Sequence, residues 1–285
     1  MLAVLESRIR RLRRLANQTD ELATPNRLSV AAWGKKYLPA YFQLPLSSFH
    51  VWLTGELDTL HERRGTKQAV IAPRGAAKST WVSLTYPLYT AVHGLESYIQ
   101  IVSDTHGQAR LWLEGIKAEL EDNADLADDY PSVVGEGDCW RQDRLRLRNG
   151  VVIEAMGTGS KIRGRRNRAE RPSLIILDDP ENEDHVTSQV RREKTKRWFN
   201  RAVLNAGTTR TNVIVLGTTL QADCLVVGLQ KTPGWQGRVF RSIIEWPKRM
   251  DLWAEWEAIF NNWDRPDREE AALAFYRQHE AEMNE

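Results

Sequence analysis

The sequence contains only two cysteines, Cys139 and Cys224, which stand far apart and lack the short spacing of metal-binding pairs. Their scarcity excludes a disulfide-stapled scaffold and suits a reducing compartment. No apolar run approaches the roughly 18 residues of a membrane-spanning helix, and the opening residues MLAVLESRIRRLRRL are too charged for a secretory signal. We therefore expect an intracellular protein that does not act at a membrane.

The chain also lacks a strong excess of either charge. It has 40 Lys and Arg against 38 Asp and Glu, a formal net charge of +2. This balance gives no global sign of a nucleic-acid partner, so such a partner must be sought in local clusters. With 285 residues, 41% of them hydrophobic, the chain can bury one large core with a small appendage.

Short apolar runs alternate with helical segments through most of the chain. Runs at residues 68–73, 97–103, 172–179 and 211–219 have the pattern of buried strands, and helical stretches begin at Lys78 and cover about 108–120 and 185–204. This alternation predicts an α/β fold with a parallel sheet and helices on both faces. One antiparallel hairpin is predicted around Asn149-Gly150, because this dipeptide is the strongest short-range hairpin signal.

Helical segments flank this predicted core. Residues 2–22 have a basic amphipathic pattern, two further helices are expected near 29–39 and 48–64, and the last forty residues look helical. Pro247 marks a plausible boundary. We therefore divide the chain into an N-terminal helical segment (1–43), an α/β core (44–246) and a helical lid or linker (247–285).

The first apolar run leads into APRGAAKST, residues 72–80. A strand, a glycine-containing loop and a helix opening at Lys78 form the layout of a phosphate-binding loop, whose amides and helix N-terminus attract phosphates. Here Lys78 would contact the β- and γ-phosphates of ATP, Arg74 the γ-phosphate, and Ser79 the Mg²⁺. The predicted nucleotide contacts of this loop are Pro73, Arg74, Gly75, Ala76, Ala77, Lys78, Ser79 and Thr80. Since Ala72 and Ala77 replace both glycines of the standard pattern, a loop without phosphate function fits this segment equally well.

The second motif is SLIILDDPENED, residues 173–184, an apolar run that leads into an acidic segment at residues 178–184. It places Asp178 at the C-terminal edge of a central strand, where open α/β sheets bind ligands, and Asp178 suits the Mg²⁺ contact of a Walker B strand. Asp179 falls where related ATPases usually carry the glutamate that orients the attacking water, and Glu181 is the alternative. A solvated acidic turn would be the better interpretation without the phosphate loop. A two-metal nuclease centre is another interpretation of this segment. It is less favoured, because the sequence does not supply the further carboxylates at strand ends that would complete such a metal site.

Two weaker signals involve the same predicted site. VIVLGTT, residues 213–219, is a buried strand ending in Thr218 and Thr219, whose hydroxyls can sense the γ-phosphate and pass its loss to neighbouring elements. Upstream of the phosphate loop, His50 or Phe49 could contact adenine. Core packing is an equally good interpretation there, because Phe49 shares a helical face with other apolar residues.

A basic glycine-containing loop, residues 157–172, precedes the Walker B strand. Its cations are Lys161, Arg163, Arg165, Arg166, Arg168 and Arg171. Such a run is usually a solvated surface. At the edge of the predicted site, one arginine, Arg163 or Arg166 among them, can act as a finger in phosphoryl transfer, in a neighbouring subunit if the protein forms a ring. The others can contact DNA phosphates. The sequence leaves the individual assignments open.

With these four elements in order, the chain resembles the large terminase subunit of tailed bacteriophages over roughly residues 44–285. APRGAAKST is similar to that family's deviant Walker A, in which an arginine, here Arg74, precedes the glycine. IRGRR leading to RPSLIILDDPEN resembles the family's approach to Walker B, and LGTT its coupling motif. The family's sequences are also similar to the segment SDTHGQARLWLEGIKAELEDN. Two departures are Ala77 before the lysine and Asp179 in place of glutamate.

The resemblance implies a P-loop NTPase with an additional-strand, RecA-like core and a small helical lid. In that family ATP hydrolysis with Mg²⁺ drives double-stranded DNA through a portal protein into a procapsid, together with a small terminase subunit. A homo-oligomeric ring, which we expect to be a pentamer, would form on assembly from a monomer, in the host-cell cytoplasm. The family also has an RNase H-like nuclease domain, and we expect no nuclease activity from this chain.

Other functions remain open at this point. A helicase-type translocase would need a second RecA-like core and further motifs. A non-hydrolysing assembly protein that binds DNA or capsid partners is compatible with the alanines of the phosphate loop. Steady ATP turnover with Mg²⁺ distinguishes the two motor hypotheses from an assembly protein or a nuclease.

Overall fold

The computed structural model describes residues 27–182, 186–243 and 245–284. The basic helix expected over residues 2–22 lies outside these ranges, as does part of the acidic segment 178–184. The chain divides into two compact units, Met1–Phe240 and Arg241–Glu285. Within the described ranges, no helix has both the length and the apolar character needed to cross a membrane.

An eight-stranded sheet forms the centre of the first unit. Its strands are β1 (Lys67–Ile71), β2 (Tyr98–Ser103), β3 (Cys139–Trp140), β4 (Arg144–Arg146), β5 (Val152–Gly157), β6 (Leu174–Asp178), β7 (Asn212–Gly217) and β8 (Gln236–Val239). Their order is β3-β4-β5-β2-β6-β7-β1-β8. The pairs from β5 through β8 are parallel, whereas β3 and β4 are antiparallel to their neighbours.

The central strands are mostly apolar because the sheet is covered on both faces, although β2 buries Gln100 and β5 buries Glu154. Strands β2, β5, β6 and β7 are buried throughout. The predicted hairpin is present: Gly150 has a φ of +88°, which a glycine adopts without strain, and the Leu147 amide donates to the Val151 carbonyl at 2.9 Å. The exposed edge strand β8 was not predicted, since its sequence QGRV has no apolar alternation.

Helices cover both faces of the sheet. They are α1 (Val30–Tyr37), α2 (Ser48–Leu60), α3 (Tyr86–Val92), α4 (His106–Asp122), α5 (Ala124–Asp129), α6 (Gln189–Trp198) and α7 (Leu225–Leu229). Two π-helical segments adjoin them, Thr80–Thr85 before α3 and Phe199–Val203 after α6. Of the helix predicted over about residues 185–204, the structure forms a regular α-helix over Gln189–Trp198 and a π-helical segment over Phe199–Val203.

Alternate strand residues point to two separate apolar clusters. One contains Val70, Ile176 and Leu216 of the sheet and packs against Trp33 of α1 and other helical residues. The other contains Ile71, Leu177 and Val215 and packs against Phe199 and Leu225. This three-layer arrangement confirms the predicted RecA-like α/β class, with a mixed sheet rather than a wholly parallel one.

The second unit contains two helices, α8 (Met250–Phe260) and α9 (Arg268–Met283). The Trp253 indole donates to the Met283 carbonyl at 2.9 Å, and Arg249 forms an ion pair with Glu282 at 2.6 Å. These two contacts therefore join the beginning of α8 to the end of α9. The helical character predicted for residues 247–285 agrees with this unit.

Candidate nucleotide-binding site

A cavity opens at the carboxyl edge of the sheet. The registers pair Asp178 at the end of β6 with Leu216 of β7 and Ser103 of β2, and Ile71 of β1 with Gly217 of β7, so the loops that follow these four strands meet. The residues lining the cavity are Arg74, Ser79, Asp104, Gln108, Trp112, Asp178, Asp179, Glu181, Asn182, Thr218 and Leu220. This is the edge at which α/β folds bind ligands.

The predicted phosphate loop runs from the end of β1 into a helix that begins at Lys78. Gly75 has a φ of +80°, and an added Cβ would meet open space there. Ala77 also has a positive φ, +49°, which costs an alanine about 1 kcal/mol. The exposed Arg74 lines the cavity, and Pro73 and Thr80 are half-buried at the ends of the loop. The loop therefore turns sharply and presents a helix N-terminus at the cavity.

His50 is hydrogen-bonded to the backbone of this loop. The Ser47 amide donates to its Nδ1 at 3.2 Å, so Nε2 carries the proton and donates to the Ala76 carbonyl at 2.9 Å. The same ring completes the capping box at the start of α2. His50 is absent from the cavity lining, so the structure gives it a contact with the phosphate loop, whereas its predicted contact with adenine stays a prediction.

Asp178 accepts hydrogen bonds from two hydroxyl groups of the helical segment that follows the loop. Ser79 donates to Oδ1 at 2.8 Å and Ser83 to Oδ2 at 2.9 Å. The carboxyl is only 3% exposed, and this burial raises its pKa to about 6. The structure thus brings together the two residues predicted to hold Mg²⁺. Ser83 was missed, although its position four residues after Ser79 is the available signal.

Asp179 connects the phosphate loop to the end of β7. Its Oδ2 lies 2.9 Å from Lys78 Nζ, and its Oδ1 accepts a hydrogen bond from the Thr218 amide at 3.1 Å. Lys78 Nζ also lies 3.4 Å from the Thr218 hydroxyl. Asp179 has a positive φ of +43°, a conformation that aspartate tolerates better than most residues. Thr219 is exposed and does not line the cavity.

Glu181 has a different partner. Its Oε2 accepts a hydrogen bond from the Leu225 amide at 2.5 Å, at the first residue of α7. Its Oε1 is buried without a hydrogen-bond partner among the described residues, and burial raises the pKa of the carboxyl. Glu181 therefore lines the cavity while anchoring α7 to the loop after β6.

The basic loop contributes no side chain to the lining of this cavity. Arg165 pairs with the buried Glu154 at 2.5 Å, and Arg144 reaches the same carboxylate at 3.1 Å. Arg163 and Arg166 are exposed. Arg165 is exposed as well, so what distinguishes it from Arg163 and Arg166 is its ion pair with Glu154.

Five lining residues were not predicted as site residues: Asp104, Gln108, Trp112, Asn182 and Leu220. Asn182 Nδ2 donates to Asp104 Oδ2 at 3.1 Å, which joins the loops after β2 and β6. Asp104 directly follows an apolar strand, and that position was the signal in the sequence.

No family model matches the chain, and neither does any curated protein. Two solved bacteriophage proteins are similar in structure. The large terminase of bacteriophage HK97 is 14% identical with a TM-score of 0.50, over 90% of this chain and 54% of that one. The large terminase ATPase domain of Thermus phage P74-26 is 16% identical with a TM-score of 0.40, over 84% of this chain and 99% of that one. The chain spans about half the length of the HK97 protein, and it shares the fold of the matched part of that large terminase.

Proposed function

We propose that the first unit binds and hydrolyses ATP with Mg²⁺ as the motor domain of a viral DNA-packaging terminase. The observation that carries this proposal is the meeting of Lys78 and Ser79 of the phosphate loop with Asp179 and Asp178 of the neighbouring strand end. Phosphoryl transfer needs a cation on the phosphates, metal ligands and a carboxylate near the attacking water, and this edge holds all three residue types.

Ser79 and Asp178 are the proposed Mg²⁺ ligands. Hydroxyl and carboxylate oxygens are the donors that this hard cation prefers, and the two side chains already touch. The bound ion would neutralise charge on the phosphates. Asp178 must be ionised to bind it, and with a pKa of about 6 the carboxyl is ionised at neutral pH.

Lys78 and Asp179 neutralise each other in the described structure. The phosphates of ATP carry denser negative charge than one carboxylate, so ATP would draw Lys78 away from Asp179. The released carboxylate could then orient the attacking water and accept its proton. Glu181 remains the alternative: its Oε2 accepts the bond from Leu225, and its Oε1 has no hydrogen-bond partner among the described residues. Asp179 is the preferred water-orienting residue because its release is coupled to the capture of Lys78 by the phosphates.

Thr218 and Thr219 are the proposed coupling residues, because Thr218 contacts both members of the Lys78–Asp179 pair. Arg74 lies at the cavity and could reach the γ-phosphate of its own site. Arg163 or Arg166 could act as a finger in the site of a neighbouring subunit, since both are exposed and outside the lining of this cavity.

The partners proposed for this motor are double-stranded DNA, a portal protein, a small terminase subunit and further copies of the chain in a ring, within the host cell. They rest on the resemblance of the sequence motifs to terminases. The fold shared with the HK97 large terminase supports the same proposal.

The test is steady-state release of phosphate from ATP. The unchanged chain should turn over ATP with Mg²⁺, and Lys78→Ala should lower the rate at least about 100-fold, because it removes the charge on the transferring phosphates. Lys35→Ala, at an exposed position of α1, is the control and should keep the rate. Turnover by Lys78→Ala within a few-fold of the unchanged chain would rule out the phosphate-loop assignment.

A non-hydrolysing assembly protein is the second candidate. The observation that favours it is the closed Lys78–Asp179 pair, which must open before phosphates can reach Lys78. ATP binding without Mg²⁺-dependent turnover, in the chain alone and with DNA, would favour this function over the motor.

A further inference from the structure

Two basic segments lie side by side on the first unit. Residues 157–172 contain six basic residues and one acidic residue, and residues 189–210 contain seven basic residues and one acidic residue. Trp198 Nε1 donates to the Ser160 carbonyl at 2.9 Å, and Arg171 donates to the Asn205 carbonyl at 3.2 Å, which joins the segments. Since the whole chain carries only +2, the remainder is net negative. Positive charge is therefore concentrated on one region.

Helix α6 and the π-helical segment that follows it, Phe199–Val203, present their part of this charge outwards. Lys194, Arg197 and Arg201 are exposed and follow each other at spacings of three and four residues, which places them on one helical side. The opposite side is buried through Thr195 and Phe199. At 1.5 Å per residue the three cations cover about 10 Å along the helix axis. We call these three residues the basic stripe.

The basic stripe fits a regular polyanion better than a small ligand. No residue of the stripe lines the cavity of the nucleotide site, and its long side chains project from a helix surface. Residues 157–172 contain no aromatic residue, and in α6 and its π-helical extension Phe199 is buried while the Trp198 indole is bonded to a carbonyl. Proteins that bind single-stranded nucleic acid combine a positively charged groove with exposed aromatic side chains that stack on the bases. The stripe offers only cations, which is the chemistry that binds the phosphates of a duplex.

The helix that carries the basic stripe is tied to the nucleotide site. Arg192, buried on α6, pairs with Asp223 at 2.8 Å and donates to Gln221 Oε1 at 3.2 Å. Both partners belong to the segment that follows Thr218, which contacts Lys78. A change in the loop after β7 therefore has a short route to α6 through these two contacts.

From these contacts we propose that the basic stripe binds the sugar–phosphate backbone of double-stranded DNA without sequence preference. The proposal rests on the proposed motor function, and it names the surface by which that motor holds its DNA. Each phosphate neutralised by a cation releases counterions, so the stripe should contribute directly to the salt dependence of binding.

The test compares two triple variants of the full chain. Lys194→Gln, Arg197→Gln and Arg201→Gln remove the stripe, and Lys35→Gln, Arg141→Gln and Lys231→Gln remove three exposed charges elsewhere in the first unit. Fluorescence anisotropy with a labelled duplex of about 30 base pairs measures affinity over a series of salt concentrations. Losing the stripe should weaken binding at least about tenfold and reduce the magnitude of the salt slope by about 3, whereas the control should bind within about twofold of the unchanged chain.

Four results would overturn the proposal: no binding of the duplex by the unchanged chain, equal binding by the stripe variant, equal losses in both variants, or tighter binding of single-stranded DNA or RNA than of the duplex. A thermal unfolding curve checks that both variants fold. Lys78→Ala separates this proposal from the proposed function. It should still bind the duplex, so a failure of the ATPase assignment leaves the DNA result intact, and a failure of the stripe leaves the ATPase result intact.

Discussion

Replacing Asp178 by asparagine should stabilise the protein without nucleotide while removing its response to Mg²⁺ and ATP. The carboxyl is 3% exposed, and burial raises its pKa from an ordinary 3.8 to about 6. At 1.36 kcal/mol for each pKa unit, keeping Asp178 ionised in the folded state costs about 3 kcal/mol. Asparagine has the same shape without the charge, and the hydroxyls of Ser79 and Ser83 can rotate to suit an amide.

The gain should depend on pH in a defined direction. Because the folded-state pKa is higher than the unfolded one, the wild-type carboxyl contributes its full stability below about pH 4 and loses it as pH rises through about 6. Near pH 8 we expect Asp178→Asn to be more stable by about 1 to 2 kcal/mol, allowing for an imperfect amide fit. That corresponds to a rise of about 2 to 8 °C in Tm. Near pH 4 the two proteins should melt together.

Thermal unfolding measured at both pH values, with and without Mg²⁺ and ATP, checks this expectation. Wild type should gain Tm from the nucleotide and the cation together, and Asp178→Asn should gain little. Asp128→Asn, at an exposed carboxylate of α5, is the control and should behave as wild type. An Asp178→Asn protein that is no more stable than wild type near pH 8 would refute the argument from burial. An unchanged response to Mg²⁺ would refute the metal assignment.

Two further predictions concern the loops around the same carboxylate. Asp179→Asn should keep nucleotide binding and lower turnover at least about 100-fold in a phosphate-release assay, because it removes the proton acceptor; a larger loss in Glu181→Gln would transfer the water-orienting role to Glu181. Ala77→Gly should relieve the backbone strain at φ +49° and raise the free energy of unfolding by up to about 1 kcal/mol in denaturant titrations. A loss of more than about 1 kcal/mol there would contradict the strain argument.

The parts of the fold that local sequence controls could be predicted. Apolar runs identify β1, β2, β6 and β7 because a strand covered on both faces has to be largely apolar. Asn149-Gly150 identifies the hairpin because the turn needs a positive φ. The proximity of Lys78, Asp178 and Asp179 could also be predicted, since the loops after neighbouring parallel strands lie at the same edge of the sheet.

Features set by tertiary pairing could not be predicted. Strand β8 is polar and exposed, and only its pairing with β1 makes it a strand. The π-helical segment Thr80–Thr85 has no pattern of its own. His50 has the same local sequence whether it contacts a base or the Ala76 carbonyl, and the distance between α2 and the phosphate loop decides between them.

The ion pair between Arg192 and Asp223 supports a last prediction, on communication between DNA and nucleotide. Asp223→Asn removes the charge that holds α6 to the segment after β7, while Arg192 keeps its bonds to the Gln221 side chain and the Val186 carbonyl. Asp223 is half-exposed, so the fold should tolerate the change.

Asp223 belongs to the ion pair that connects α6 to the segment after β7, and it is not part of the basic stripe. The Asp223→Asn variant should therefore bind duplex DNA as wild type does, and its rate of ATP hydrolysis in the absence of DNA should be unchanged. The stimulation of ATP hydrolysis by DNA should fall, by about fivefold if the pair carries a coupling free energy of about 1 kcal/mol. Phosphate release with and without duplex measures the ratio directly, and Asp128→Asn serves as the exposed control. A full DNA stimulation in Asp223→Asn would mean that this ion pair does not transmit the signal, even if the stripe binds DNA.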